Sequence, residues 1–265
     1  MPILELVGRW LAQYLSRPRK GGVHVATSRP ALLASTLRKG DVLLVEGTSR
    51  FSVAIKYLTQ STWSHAAFFI SDAMGPPKAG EEARVLVEAD VNEGVRAVPL
   101  SMYSNLHNRI CRPVGLSREE IDAVVAYMVT RVGHKYDTRN IIDLARYLIQ
   151  TPPIPRRWRR QLLALGSGDP TRAICSSLIA QAFQSVRYPI LPEVVFEKSK
   201  DPTCVECYEE VLHIRHHSLF TPRDFDVSPY FLIVKPMIEQ EFDPHRLTWG
   251  DNGEWRERHR AYQPN

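Results

Sequence analysis

The stretch Ala173-Ile174-Cys175-Ser176-Ser177-Leu178-Ile179-Ala180-Gln181-Ala182-Phe183 decides how the rest of the chain is read. Its apolar residues at 174, 178, 179, 182 and 183 recur at helical spacing, which predicts a helix with Cys175 on the first turn. Backbone N–H groups of a first turn have no partner inside the helix and the macrodipole is positive there, so the position favours a thiolate. Working outward, Ser64-His65-Ala66-Ala67-Phe68-Phe69-Ile70 is a short apolar run with a polar entry, the pattern of a buried strand that starts at His65. An imidazole brought to a thiol makes a nucleophile for carbonyl carbon. The same residues also describe a buried, inert cysteine, because free cysteines are among the most buried residue types. Both readings stand on local context alone.

The 265 residues suffice for one large domain with elaborations, and 44% hydrophobic with 24% charged residues is ordinary for a globular chain. A net charge of +5 tilts the surface toward anionic partners without the density of a dedicated nucleic-acid binder. No apolar run has the length of a membrane-spanning helix, and the scattered glycines form no phosphate-binding loop. Residues 1–20 lack an early basic region and a continuous apolar core, since Glu5, Arg9 and Gln13 interrupt them. The expected location is therefore cytoplasmic, with the four cysteines reduced.

Three regions are expected. Residues 1–37 hold an amphipathic helix over 3–16 and a linker; the helix either packs on the domain or rests on a membrane surface. Residues 38–235 form the domain proper, and 236–265 a polar extension. Within the domain, strands are predicted at 40–46, 66–71, 85–89, 94–98 and 107–112, with helices at 49–59, 117–131 and 139–149. Ser117 with Glu120 three residues on is a capping-box signature. This partial segregation of helices and strands favours α+β over a doubly wound parallel sheet. A basic insertion at about 151–172 breaks the pattern: three prolines lead into Arg156-Arg157-Trp158-Arg159-Arg160, which suits either a solvated loop with a buried Trp or peripheral contact with an anionic membrane.

A Cys–His pair needs a polar group to orient the imidazole. Glu88 closes Val85-Leu86-Val87-Glu88, where alternation sets Val85 and Val87 on one side and Leu86 and Glu88 on the other. A glutamate on an apolar strand needs a partner, and an imidazole would serve; an edge glutamate in water is the plainer reading. Asp90 and Glu93 are substitutes in the following turn.

Six segments taken in order resemble a known family. They are Gly40-Asp41-Val42-Leu43-Leu44, Trp63-Ser64-His65-Ala66-Ala67, Val87-Glu88-Ala89 with Gly94-Val95, Gly133-His134-Lys135-Tyr136-Asp137, Cys175-Ser176-Ser177-Leu178, and Thr221-Pro222-Arg223-Asp224-Phe225 with Ser228-Pro229. The chain resembles the permuted NlpC/P60 superfamily, the YaeF/YiiX type of papain-like cysteine amidase. In unpermuted members the nucleophile precedes the histidine; here His65 comes first, and permutation preserves a constellation in space while moving the chain ends. The resemblance implies an α+β, circularly permuted papain-like fold with an antiparallel sheet packed against helices. It implies Cys175 as nucleophile, His65 as general base and then acid, and Glu88 as the orienting group. Ser64, Ser176 and Tyr136 are then expected at the substrate; Tyr136 also reads as a core tyrosine. The implied substrate is an acyl-amide, an acyl-ester or a peptide, cleaved or transferred through a thioester, with a lipid-linked acyl group suggested by the basic segment. No cofactor and no specific nucleic acid are expected.

Two other readings compete. Cys204 and Cys207 with His213, His216 and His217 contain the donors of a structural zinc site, or are reduced, unliganded side chains in a loop over 199–220. The chain could also be a noncatalytic module that keeps the cleft and docks on membrane or nucleic acid. Cys111 is expected to face the core.

Overall fold

A computed structural model describes residue 26 and residues 28–90, 93–134, 174–198, 208–239 and 243–246. In chain order the helices and strands among them are α1 (Pro30–Thr36), β1 (Val42–Val45), α2 (Arg50–Thr59), β2 (His65–Phe69), β3 (Arg84–Asp90), β4 (Gly94–Pro99), α3 (Ser101–Ser104), β5 (Asn108–Pro113), α4 (Arg118–Val129), α5 (Ile174–Ser185), β6 (Glu193–Lys198), β7 (Tyr208–His213), α6 (Pro222–Asp226), β8 (Phe231–Val234) and α7 (Pro236–Glu239). A six-stranded sheet runs β4-β3-β2-β1-β5-β8, and each neighbouring pair in it is antiparallel. The expected helices over 3–16 and 139–149 and the basic segment 156–160 lie outside the described residues.

Strand β1 is apolar at every position because both faces of the sheet are covered. On one face Val42, Leu44, Ala66, Phe68, Val87, Ala89 and Cys111 meet Val124 and Met128 of α4 and Leu178, Ile179 and Phe183 of α5. On the other, Leu43, Ala67, Phe69, Leu86 and Ile110 meet Leu33 and Leu37 from α1 and the chain after it. Phe183 anchors the first face through ring contacts with Phe68, Tyr188, Phe225 and Phe231. Helix α5 is therefore fixed in the core by its own apolar stripe, and its first turn carries Cys175.

Local chemistry sets the element ends. The Ser49 hydroxyl caps α2 by accepting from Ser52 N, and the Ser117/Glu120 capping box opens α4 as expected. Arg112 donates from Nε and Nη2 to the two oxygens of buried Asp41 at 2.9 and 2.8 Å, and again from Nη2 to the Thr36 carbonyl at 2.8 Å. This tie joins α1, β1 and β5 at the end of β1 remote from His65.

Three expectations change. Residues 208–213 are a strand, not loop, paired with β6 in a separate two-stranded ribbon. The pairing of β3 with β4 shifts register between Arg84 and Leu86, so Val85 packs with Leu86 on the α1 face rather than with Val87 on the α5 face. Helix α1, unexpected from the sequence, adds Leu33 to the core.

Candidate active site

His65 opens β2, opposite Val45, and Glu88 lies on the adjacent strand β3. Alternation carries His65 to the side of Ala67 and Phe69, and Glu88 to the side of Leu86, so both reach the α1 face of the sheet. There His65 Nε2–H donates to Glu88 Oε2 at 2.6 Å. That bond leaves Nδ1 as the ring nitrogen for a second partner. Cys175 is a further group acting on this imidazole, through its charge and a side-chain hydrogen bond.

Glu88 is 1% exposed, and every side of its carboxylate is occupied. Tyr103 O–H donates to Oε2, the oxygen that receives His65. Arg96 donates to Oε1, with Nε and Nη2 each 2.8 Å away. The Arg96 guanidinium is itself held by Glu93 at 2.7 Å, with Asp90 at 3.7 Å. Register explains the Arg96 contact: Glu88 and Arg96 are direct cross-strand partners in the β3–β4 hairpin, which closes where Asp90 pairs with Gly94 at φ +77°. Asp90 and Glu93, considered as substitutes for Glu88, thus support Arg96 instead. Tyr103 and Arg96 were not anticipated; a Glu–Arg pair across a tight turn was the available signal for Arg96.

The electrostatics follow from this arrangement. Burial pushes the Glu88 carboxyl up, but the His65 charge, the hydrogen bonds from His65 and Tyr103 and the Arg96 cation outweigh it and hold Glu88 at about 2. Burial likewise opposes a charged His65. The negative charge of a Cys175 thiolate, then that of Glu88, and hydrogen bonds to both overcome it and raise His65 well above the ordinary histidine value. The Tyr103 hydroxyl is raised by burial and then by the Glu88 charge, so it stays a donor. Cys111, by contrast, is pushed up by burial in the core, far from this chemistry.

Neighbouring contacts hold the parts in place. Trp63 Nε1 donates to Asp226 at 2.9 Å, Arg109 binds the other oxygen of Asp226 at 2.5 Å, and the guanidinium lies 4.9 Å from the Trp63 ring centroid. The Ser64 hydroxyl accepts from Gly47 N at 2.8 Å and fixes the chain leaving β1. The Ser176 hydroxyl donates to the Phe220 carbonyl at 2.8 Å and ties the first turn of α5 to the segment before α6. Both serines are buried, 2% and 0% exposed, and each bonds backbone through its hydroxyl. Tyr136, Cys204 and Cys207 lie outside the described residues. His216 uses Nδ1 on Ser218, 2.8 Å away, at the cap of a 3₁₀ turn, and among the described residues no three His, Cys, Asp or Glu side chains group as a metal site.

Residues 36–147 match the permuted papain-like amidase enzyme family, YaeF/YiiX, C92. The fold class is the permuted papain-like one, mixed α/β with a six-stranded antiparallel sheet. The matched residues include His65, Glu88, Arg96 and Tyr103 and end before Cys175. The family supports a cysteine-hydrolase type of activity on amide or peptide bonds. Among solved structures, the crystal structure of metalloprotein yiiX from Escherichia coli O157:H7 is similar at TM-score 0.43 and 16% identity, over 75% of this chain and 96% of that one. No curated protein matches the chain. No described helix is long and apolar enough to cross a membrane.

Proposed function

We propose that the protein is a cysteine amidase in which Cys175, His65 and Glu88 act as a triad. The supporting observation is that His65 has two partners at once, Glu88 bonded through Nε2 and Cys175, whose charge and hydrogen bond both raise the imidazole. The Cys175 thiolate attacks the amide carbonyl and forms a C–S bond. The oxyanion gathers where α5 begins, within reach of the backbone N–H of Cys175. His65 then gives its proton to the leaving nitrogen as the C–N bond breaks. Water attacks the resulting thioester, passing a proton back to His65, and the C–S bond breaks to release the acid. Glu88 keeps Nδ1 aimed at the thiol and stabilises the imidazolium, as in other triads of this logic. Transfer of the acyl group to another acceptor, and an ester or lipid-linked acyl substrate, use the same steps with a different nucleophile or leaving group.

Electrophilic probes built on acyl-amides, acyl-esters and peptides test this reading and sort the substrate class together. Wild-type protein should be labelled at Cys175, and His65→Ala should abolish most labelling while remaining folded. Labelling of Cys175 at equal rate in His65→Ala would favour a noncatalytic module that retains the fold.

A further inference from the structure

The Glu88 carboxylate has more partners than a triad needs, and their placement is uneven. Among the described residues Oε1 bonds Arg96, whereas Oε2 receives both His65 Nε2–H and Tyr103 O–H. The Tyr103 ring also abuts the imidazole, with centroids 5.5 Å apart and planes tilted by 42°. Tyr103 belongs to the short helix α3 directly after β4, and its backbone carbonyl accepts from Asn108 Nδ2 at 3.4 Å at the start of β5, so the ring is anchored from both sides.

Resting on the triad reading above, we propose that Tyr103 is a positioning residue: by occupying the oxygen that holds His65, it fixes the carboxylate and limits how firmly Glu88 retains the imidazolium proton. The chemistry is that of a shared acceptor. An oxygen that already receives a strong O–H donor carries less negative charge for a second donor, and it cannot rotate away from it. Arg96 acts in the same sense from Oε1, drawing charge to the far side of the carboxylate. Without these two donors Glu88 would bind the imidazolium more tightly, and His65 would be slower to surrender its proton to a leaving group. Among the described residues, the groups that face His65 are Cys175 from α5, Glu88 from β3 and Tyr103 from α3, with Arg96 of β4 behind Glu88 and Asp90 and Glu93 behind Arg96. The high proton affinity of the Tyr103 hydroxyl keeps it a donor wherever the pair works.

The experiment uses the full chain and needs no substrate. Histidine nitrogen NMR follows the titration of His65, and iodoacetamide with mass spectrometry reads the alkylation rate at Cys175 against pH. Tyr103→Phe keeps the ring and removes only the donor. It should move the His65 midpoint up by about one pH unit, and the upper limb of the alkylation profile with it. Arg96→Gln should move both in the same direction. A His65 midpoint that stays put or falls in either folded variant overturns the proposal, since a purely structural Tyr103 would change melting temperature and not the midpoint. Should wild-type alkylation prove indifferent to His65→Ala, the triad reading itself fails, an outcome distinct from a silent Tyr103→Phe.

Discussion

Replacing Glu88 by Gln removes a charge that the fold has stabilised in a nearly waterless place. The carboxyl is lowered from 4.5 to about 2, and it is 1% exposed, so solvent screening does not discount the shift. At about 1.4 kcal/mol per unit, the ionised group contributes about 3 kcal/mol to folding. The folded value is the depressed one. The contribution is therefore complete above the unfolded value and is lost as pH falls from about 5 toward 2. Urea unfolding of wild type and Glu88→Gln at a series of pH values measures it. The variant should be weaker by about 3 kcal/mol at pH 7, about 6–12 °C in melting temperature for a domain of this size, and the gap should close as the solution is acidified. A gap that is constant from pH 7 to 3, or absent at pH 7, would refute the argument that His65, Tyr103 and Arg96 hold this carboxylate ionised.

Arg112→Met strands the buried Asp41 carboxyl and should cost about 3–5 kcal/mol at neutral pH by denaturant titration. Burial already raises Asp41, so without its cation it will take up a proton, and the deficit should narrow as pH falls. Phe183→Ala opens a hole among Phe68, Tyr188, Phe225 and Phe231; calorimetry should show a loss of about 3–5 kcal/mol, and Cys175 alkylation should change because the same helix carries the thiol. Cys175→Ala deletes the largest of the influences that raise His65, so the His65 midpoint should drop in NMR titration. Because a raised histidine value adds stability below its unfolded pKa of about 6.5 and loses it as pH rises through the folded value, the variant should also show less alkaline destabilisation than wild type.

What could be read in advance was what local patterns dictate. Ser117 and Glu120 cap a helix through bonds made within one turn, and β1 and β2 are apolar runs with polar residues at their ends. The meeting of His65 with Glu88 was legible because a carboxylate on an apolar strand demands a partner. Long-range geometry was less accessible. Tyr103 reaches Glu88 only after β4 has turned into α3, and no spacing rule anticipates that path. The ribbon of β6 and β7 escaped notice because its apolar residues do not segregate to one face: Val194, Val195, Phe196 and Leu212 are all exposed. The bulge at Arg84–Leu86 overrode strict alternation for Val85 alone. Ser64 and Ser176 flank reactive residues in the sequence, but the bonds of their hydroxyls to Gly47 N and the Phe220 carbonyl are long-range contacts that no local pattern announces.

The proton-handling half of the site comes from a single meander. Glu88 lies 23 positions from His65, 8 from Arg96 and 15 from Tyr103, while the sulfur arrives much later in the chain. Contacts so near in sequence close at small entropic cost, and synthesis proceeds from the N-terminus. A growing polypeptide can thus finish its imidazole and carboxylate before the cysteine has left the ribosome. Seating of α5 then completes the nucleophile, so a chain that has not yet placed this helix carries no activated thiol to misfire.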